Sequence, residues 1–126
     1  MSATDKTTFC CYEDTSPSLL ARVVGNDAEP VTQDSLSAVT LWVYKHGQST
    51  PVASAVSLVI ADVVFDALQT DGRWVTDAEG FNFAYPVPVG YLATPGRYTI
   101  EVLFQPVVGG AFLVVFTGEV LDRRSG

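Results

Sequence analysis

The sequence predicts an all-β domain, an antiparallel β-sandwich of about seven strands, and three observations carry that expectation. Runs rich in β-branched and aromatic residues recur along the chain, separated at intervals of roughly ten residues by clusters of Gly, Pro, Asn and Asp. Residues 97–105 and 111–121 are two such runs around a loop carrying Gly109 and Gly110, the pattern of an antiparallel hairpin. Within the runs, large apolar residues alternate with the period of a pleated strand, and no heptad or internal repeat competes with that reading.

Residues 1–17 are polar apart from one island, Phe9, Cys10, Cys11 and Tyr12. They are expected to be an N-terminal arm that docks, either a flexible segment or an added strand that orders against a partner. Residues 18–25 read as the first strand of the sandwich proper, expected over residues 18–121, and a turn through Gly25, Asn26 and Pro30 follows. Residues 37–45 alternate, with Val39, Leu41 and Val43 on one face and Trp42 and Tyr44 on the other. After a turn from His46 to Pro51, residues 52–60 supply a strand with Val52, Ser54, Val56, Leu58 and Ile60 in register.

Residues 61–69 fit two patterns, because Val64, Ala67 and Leu68 would share a helical face while Val63, Val64 and Phe65 suit a strand. A short helical turn or an irregular crossover is expected there. Asp71 and Gly72 mark a turn, residues 73–75 a short strand, and Asp77 to Gly80 another turn. Residues 81–85 form a strand with Phe81, Phe83 and Tyr85 on one face, ended by Pro86 and Pro88 because proline donates nothing to a ladder. Residues 122–126 offer nothing apolar to bury and read as a solvated tail.

The hairpin strands differ in their patterning. The first puts Tyr98, Ile100, Val102 and Phe104 on one face and Arg97, Thr99, Glu101, Leu103 and Gln105 on the other, so one side is core and the other mostly wet. The second has Phe112, Val114, Phe116 and Val120 on one side and Ala111, Leu113, Val115 and Leu121 on the other. A strand apolar on both sides needs covering twice, by the domain's own core and by another subunit or by the chain's own loops or an extra strand.

Upstream of the hairpin, Thr94, Pro95, Gly96, Arg97 and Tyr98 place a tyrosine two residues after a glycine at the start of a strand. This resembles the tyrosine corner of immunoglobulin-like sandwiches, whose ring packs inside while its hydroxyl bonds the upstream backbone. A Pro-Gly type II turn feeding an ordinary strand explains the same residues.

A chain of 126 residues is enough for one domain with a core that needs no staple. Apolar residues make up 48% and charged residues 17%, which excludes a disordered tail. Fourteen acidic residues against 7 basic ones give a net charge of -7, which opposes binding to phosphate backbones, so nucleic acid is not an expected partner. The N-terminus lacks a signal-peptide pattern and no apolar run reaches membrane-spanning length, so a chain kept in a cytoplasm, without a membrane partner, is expected. Cys10 and Cys11 are adjacent, and a bridge between neighbours staples no loop, so two free thiols are expected.

Few residues suit chemistry. His46 is the single histidine and sits beside Gly47 in a turn, and the two cysteines lack zinc-ligand spacing, so neither a metal nor another cofactor is expected. No Gly-x-Ser-x-Gly appears, and Gly109, Gly110 and Gly118 do not make a phosphate cradle. Asp62, Asp66, Asp71, Asp77 and Glu79 lie close in sequence but match no calcium loop, and turn capping accounts for Asp71 and Asp77. An enzyme would need Asp66 or Asp77 as acid or base, and a non-enzyme is the expectation.

Residues 62–83 run Asp62-Val63-Val64-Phe65-Asp66, then Trp74, then Asp77-Ala78-Glu79-Gly80-Phe81-Asn82-Phe83. This resembles a segment of small tailed-phage virion proteins, and Pro95-Gly96-Arg97-Tyr98 and Gly109-Gly110 continue the likeness. Over residues 14–121 the wider pattern is similar to the N-terminal immunoglobulin-like domain of phage baseplate upper proteins. The resemblance implies a non-enzymatic virion component, assembled in a host cytoplasm, that forms homo-oligomers or joins other virion proteins. Those proteins carry a long C-terminal extension that holds receptor-binding proteins, and this sequence ends just past the sandwich, which leaves capsid decoration, neck and tail-adaptor roles open.

Two functions follow as expectations. The first is a structural component making subunit contacts through Phe9, Tyr12, Trp42, Tyr44, Leu113 and Val115. The second is a small-ligand or carbohydrate-binding sandwich, with Trp42, Tyr44 and Trp74 as stacking faces.

Overall fold

The computed structural model describes residues 7–13, 15–24, 30–70 and 80–122 of the chain, without the side chains of residues 7–10 and 89. Eight strands among these residues form two sheets. The larger contains β1 (Thr7–Tyr12), β3 (Leu36–Lys45), β4 (Ala53–Leu58), β7 (Gly96–Pro106) and β8 (Phe112–Leu121), in the spatial order β1-β8-β7-β3-β4. The smaller contains β2 (Ser18–Ala21), β5 (Val64–Gln69) and β6 (Phe81–Pro86), in the order β2-β6-β5. This is an immunoglobulin-like β-sandwich, its larger sheet built on β8-β7-β3 with a further strand at each side, as variable-type domains extend theirs.

The alternation in the sequence decides what is inside. Val39, Leu41 and Val43 of β3, Tyr98, Ile100, Val102 and Phe104 of β7, and Phe112, Val114, Phe116 and Val120 of β8 are all buried. They meet Leu19, Ala21, Phe83 and Tyr85 of the smaller sheet in one core. Phe83 joins the layers: its ring stands edge-on to Phe104 at 5.5 Å and lies 6.1 Å from Phe116, while Phe104 stacks on Phe112 at 5.5 Å.

The tyrosine corner is present. Tyr98 donates its hydroxyl hydrogen to the Thr94 carbonyl at 2.8 Å, and the Thr94 hydroxyl lies 3.1 Å from the Tyr98 hydroxyl oxygen. Lys45 closes the corner from β3, donating from Nζ to Thr94 Oγ1 at 2.8 Å, with the ammonium 5.9 Å from the Tyr98 ring centroid. Gly96 makes room for it, since its φ is +149° and a Cβ there would meet Lys45 Cε at 2.8 Å. In antibody domains a disulfide cysteine stands two residues after this tyrosine. Here that position is the fully buried Ile100, so aliphatic packing holds the sheets together where those domains use a bond. Tyr98→Phe is expected to cost about 1–2 kcal/mol in urea unfolding with an unchanged denaturant slope, because it removes a hydrogen bond and leaves the ring in place.

The structure differs from the sequence expectation at several elements. Among the described residues there are eight strands, against about seven expected, and the sandwich is not wholly antiparallel, because Thr7–Tyr12 pairs parallel with the chain's own β8. The Phe9 to Tyr12 island, assigned to an arm, is thus part of a strand of this sheet, and it gives the edge of β8 from Phe116 to Leu121 a hydrogen-bonding neighbour.

Strand β4 contains a bulge. Val43 pairs with Ala53 and Leu41 with Val56, three steps against two, and Ala55 takes φ 51°. The bulge shifts the parity, so Ala53, Val56, Leu58 and Ile60 pack on the core while Val52 and Ser54 are exposed.

Residues 61–69 divide between both patterns, a single helical turn α1 (Ile60–Val63) followed at once by β5. Gln33, in the 3₁₀ turn Gln33–Ser35, holds the start of β5, donating from Nε2 to the Val64 carbonyl at 2.8 Å and from its backbone N to Asp66 Oδ1 at 2.7 Å. The strand expected at residues 73–75 lies outside the described residues.

Strand β6 is buried from Phe81 to Tyr85 without a break, on both of its faces. Asn82 is the one buried polar side chain among the described residues, at 1% exposure. Its Oδ1 accepts from Val23 N at 2.7 Å, and its Nδ2 donates to the carbonyls of Val23 at 3.0 Å and Val31 at 3.2 Å. Together with the Val31 N to Val23 O bond at 3.0 Å and the bridge between Val24 and Pro30, the amide fastens both ends of the excursion after β2.

Candidate functional site

The outer face of the larger sheet is assembled by register. Leu113 of β8, Leu103 of β7 and Thr40 of β3 stand side by side in one row; Val115, Glu101 and Trp42 form the next, and Thr117, Thr99 and Tyr44 the one after. At the β1 side, Tyr12 stands opposite Leu121. Side chains directly opposite one another across strands touch, so these rows make one continuous surface.

Five of the six residues that the sequence proposed for contacts fall on this face. Tyr12 is 45% exposed, Leu113 41% and Tyr44 37%, while Trp42 and Val115 are half-buried by their neighbours. Phe9 stands opposite Gly118 in the register, and its side chain lies outside the described set. Neither loops nor further strands among the described residues cover Leu113 and Tyr44, so the second face of β8 meets solvent.

Sequence reasoning put Arg97, Glu101 and Leu103 on the wet side of their strand and Leu121 on the side of Leu113 and Val115, but named none of them as contact residues. Cross-strand register adds their neighbours, bringing Leu103 beside Leu113 and Glu101 between Val115 and Trp42. It also overlooked the hairpin tip, where Val107 and Val108 are exposed beside Gly109 and Gly110. An uninterrupted Val-Val-Gly-Gly loop without a charge was the available signal.

The chemical candidates have structural explanations where they are described. Asp66 accepts from the Gln33 backbone, and His46 is an exposed turn residue whose backbone N donates to Arg97 O at 2.8 Å. Cys11 is half-buried and packed against the core. No group of three or more His, Cys, Asp or Glu side chains positioned to hold a metal occurs among the described residues. Trp74, Asp71, Asp77 and Glu79 lie outside them. Tyr85 is pushed up from 10.0 to about 12, first by burial and then by the charge and hydrogen bond of Tyr91. Among the described residues no helix is long and apolar enough to cross a membrane.

What this face offers is contact area. Three aromatic rings, of Tyr12, Trp42 and Tyr44, and several aliphatic side chains share this face with threonine hydroxyls, with Arg97 and Glu101 on either side of Thr99 along β7. Rigid aromatic anchors within a mixed surface suit protein–protein or ring-stacking recognition.

No family model matches this chain, and no curated protein matches it. Among solved structures it is similar to murine CRIg, at 12% identity with 94% of this chain and 92% of that chain covered and a TM-score of 0.37. It is also similar to a family 123 glycoside hydrolase from Clostridium perfringens, at 11% identity with 92% of this chain and 23% of that chain covered and a TM-score of 0.36. At these scores neither neighbour bears on what this chain binds.

Proposed function

We propose that this chain is a non-enzymatic structural component of a phage particle, making subunit–subunit contacts as a capsid cement or decoration protein, a neck protein or a tail or baseplate adaptor. The observation that carries the reading is the uncovered outer face, on which Tyr12, Trp42, Tyr44, Leu113 and Val115 converge from three strands of one sheet. The likeness of residues 62–83 to virion proteins supports the setting. Within that segment, Phe81 packs edge-on to Phe65 at 6.0 Å and Asn82 is committed to the backbone of Val23 and Val31, so its described motif residues maintain the sandwich while the opposite sheet stays available.

Copies of the chain and other virion proteins are the partners of this face. Arg97 and Glu101 flank Thr99, so a twofold axis through Thr99 sets each copy's arginine over the other's glutamate. Such a surface gains affinity mainly from its aromatic and aliphatic centre.

The test is a sedimentation series over concentration, together with retention on particles that lack the protein. Tyr44→Glu combined with Leu113→Glu is expected to weaken association at least tenfold, about 1.4 kcal/mol or more. The unfolding midpoint is expected to stay unchanged, since both side chains are exposed. A chain that stays monomeric and does not bind particles rejects the proposal. Trp42 and Tyr44 on adjacent rows also present stacking surfaces for a sugar. Glycan binding without self-association would favour the carbohydrate-binding alternative.

A further inference from the structure

The four sheet edges are not alike. An exposed strand edge invites pairing with another chain, and proteins blunt it with bulges, prolines, charges, short length or a covering segment. Strand β4 is broken by the bulge at Ala55. Strand β5 meets β6 only at Val64 and Gln69, and Gln33 is bonded along it. Strand β2 is four residues long and begins directly after Pro17.

Among the described residues, strand β1 shows none of these devices. Its six residues, Thr-Thr-Phe-Cys-Cys-Tyr, keep unbroken register with β8 and include no proline and no Asp, Glu, Lys or Arg. Glu13 N donates to Leu121 O at 2.9 Å. In a parallel ladder alternate residues turn their backbone groups to the neighbour, so the odd positions of β1 face β8 and Thr8, Cys10 and Tyr12 face away from it. No described strand lies on that side.

We propose that this outward edge pairs with β1 of a second copy, antiparallel about a twofold axis, joining two larger sheets into one continuous sheet. The inference rests on the assembly role proposed above but assigns it a different surface. A second copy is the favoured occupant for two reasons. The chain carries a net charge of -7, and an uncharged edge is where two copies approach with least repulsion. The apolar outer face also runs up to this edge through Leu121 and the half-exposed Tyr12, so pairing unites the two faces. A single edge strand buries less than a standard interface of about 1,600 Å², so this contact is reversible.

The register makes the inference testable. With the axis at Cys10, each Cys10 lies opposite its copy and each Thr8 opposite Tyr12. A hydrogen-bonded antiparallel pair has Cα atoms about 5.5 Å apart, inside the span a disulfide bridges. Treating the full chain with copper phenanthroline, whose Cu(II) accepts two electrons from the paired thiols while their two protons pass to solvent, is expected to give a covalent dimer in the wild type and in Cys11→Ser but not in Cys10→Ser. Without oxidant, Cys10→Pro, which deletes an outward N–H, and Thr8→Lys, which charges the edge, are each expected to weaken dimerisation at least tenfold in sedimentation. Circular dichroism checks their fold, and if the proline variant does not fold, Thr8→Lys decides.

Crosslinking through Cys11 in place of Cys10, or a dimer that the folded edge variants leave intact, overturns the inference. If only Tyr44→Glu with Leu113→Glu dissociates the dimer, the edge inference fails and the outer-face reading stands. If only the edge variants do so, the outer face is not the self-contact. A wild type that is monomeric throughout and gives no crosslink overturns the edge contact whether or not the chain binds particles.

Discussion

Asn82→Leu is expected to destabilise the domain by about 3–5 kcal/mol, measured by urea unfolding. The amide makes three hydrogen bonds at a site 1% exposed, two to Val23 and one to Val31. Leucine restores bulk but answers none of them. The Val23 carbonyl keeps the Val31 N–H, so the orphaned groups are Val23 N–H and Val31 C=O, each worth roughly 1–3 kcal/mol when buried and unmet. Asn82→Asp is expected to be at least as damaging. Its carboxylate still accepts from Val23 N–H but faces two carbonyl oxygens to which it has nothing to donate. Recovery of wild-type stability in either variant would mean that the amide is dispensable.

Phe83→Ala is the second large effect, an expected loss of about 3–5 kcal/mol by calorimetry or denaturant unfolding. The ring is fully buried and joins the two sheets through Phe104 and Phe116. Its removal leaves a hole lined by β6, β7 and β8 that neither sheet can close without giving up backbone pairing. Phe112→Ala should cost less, because Phe112 stacks on Phe104 where β8 begins and the hairpin loop there can relax. Against a typical net stability of about 5–15 kcal/mol, Phe83→Ala combined with Asn82→Leu is expected to leave little folded protein.

These two residues also mark how far the sequence could be read. Phe83 was legible as an inward residue because Phe81, Phe83 and Tyr85 alternate, and the same period-two pattern placed the cores of β3, β7 and β8. Asn82 was not, because the pattern assigns a polar residue between aromatics to solvent, and only the excursion from Val23 to Val31 gives it a reason to be buried. The bulge in β4 escaped for a related reason: one residue at positive φ reverses the parity of everything before it, and Ala55 carries no glycine or asparagine to announce it. An added strand was one of the two readings of the N-terminal arm, but its pairing with β8 was hidden because six residues without alternation carry no periodic signal and the partner lies at the far end of the described chain. The contact face was partly visible. Trp42, Tyr44, Leu113 and Val115 stood out as large residues on the wrong parity, whereas Leu103 and Glu101 joined them only once register was known.

The parallel pairing of β1 with β8 has a kinetic consequence. Closing that contact brings together segments separated by nearly the whole domain, at an entropy cost the local β7–β8 hairpin does not bear. The hairpin can therefore form from its own turn, whereas β1 must wait until a finished β8 is offered to it. On the ribosome the segment emerges before the strand it pairs with, so its place in the larger sheet opens only once β8 has been made.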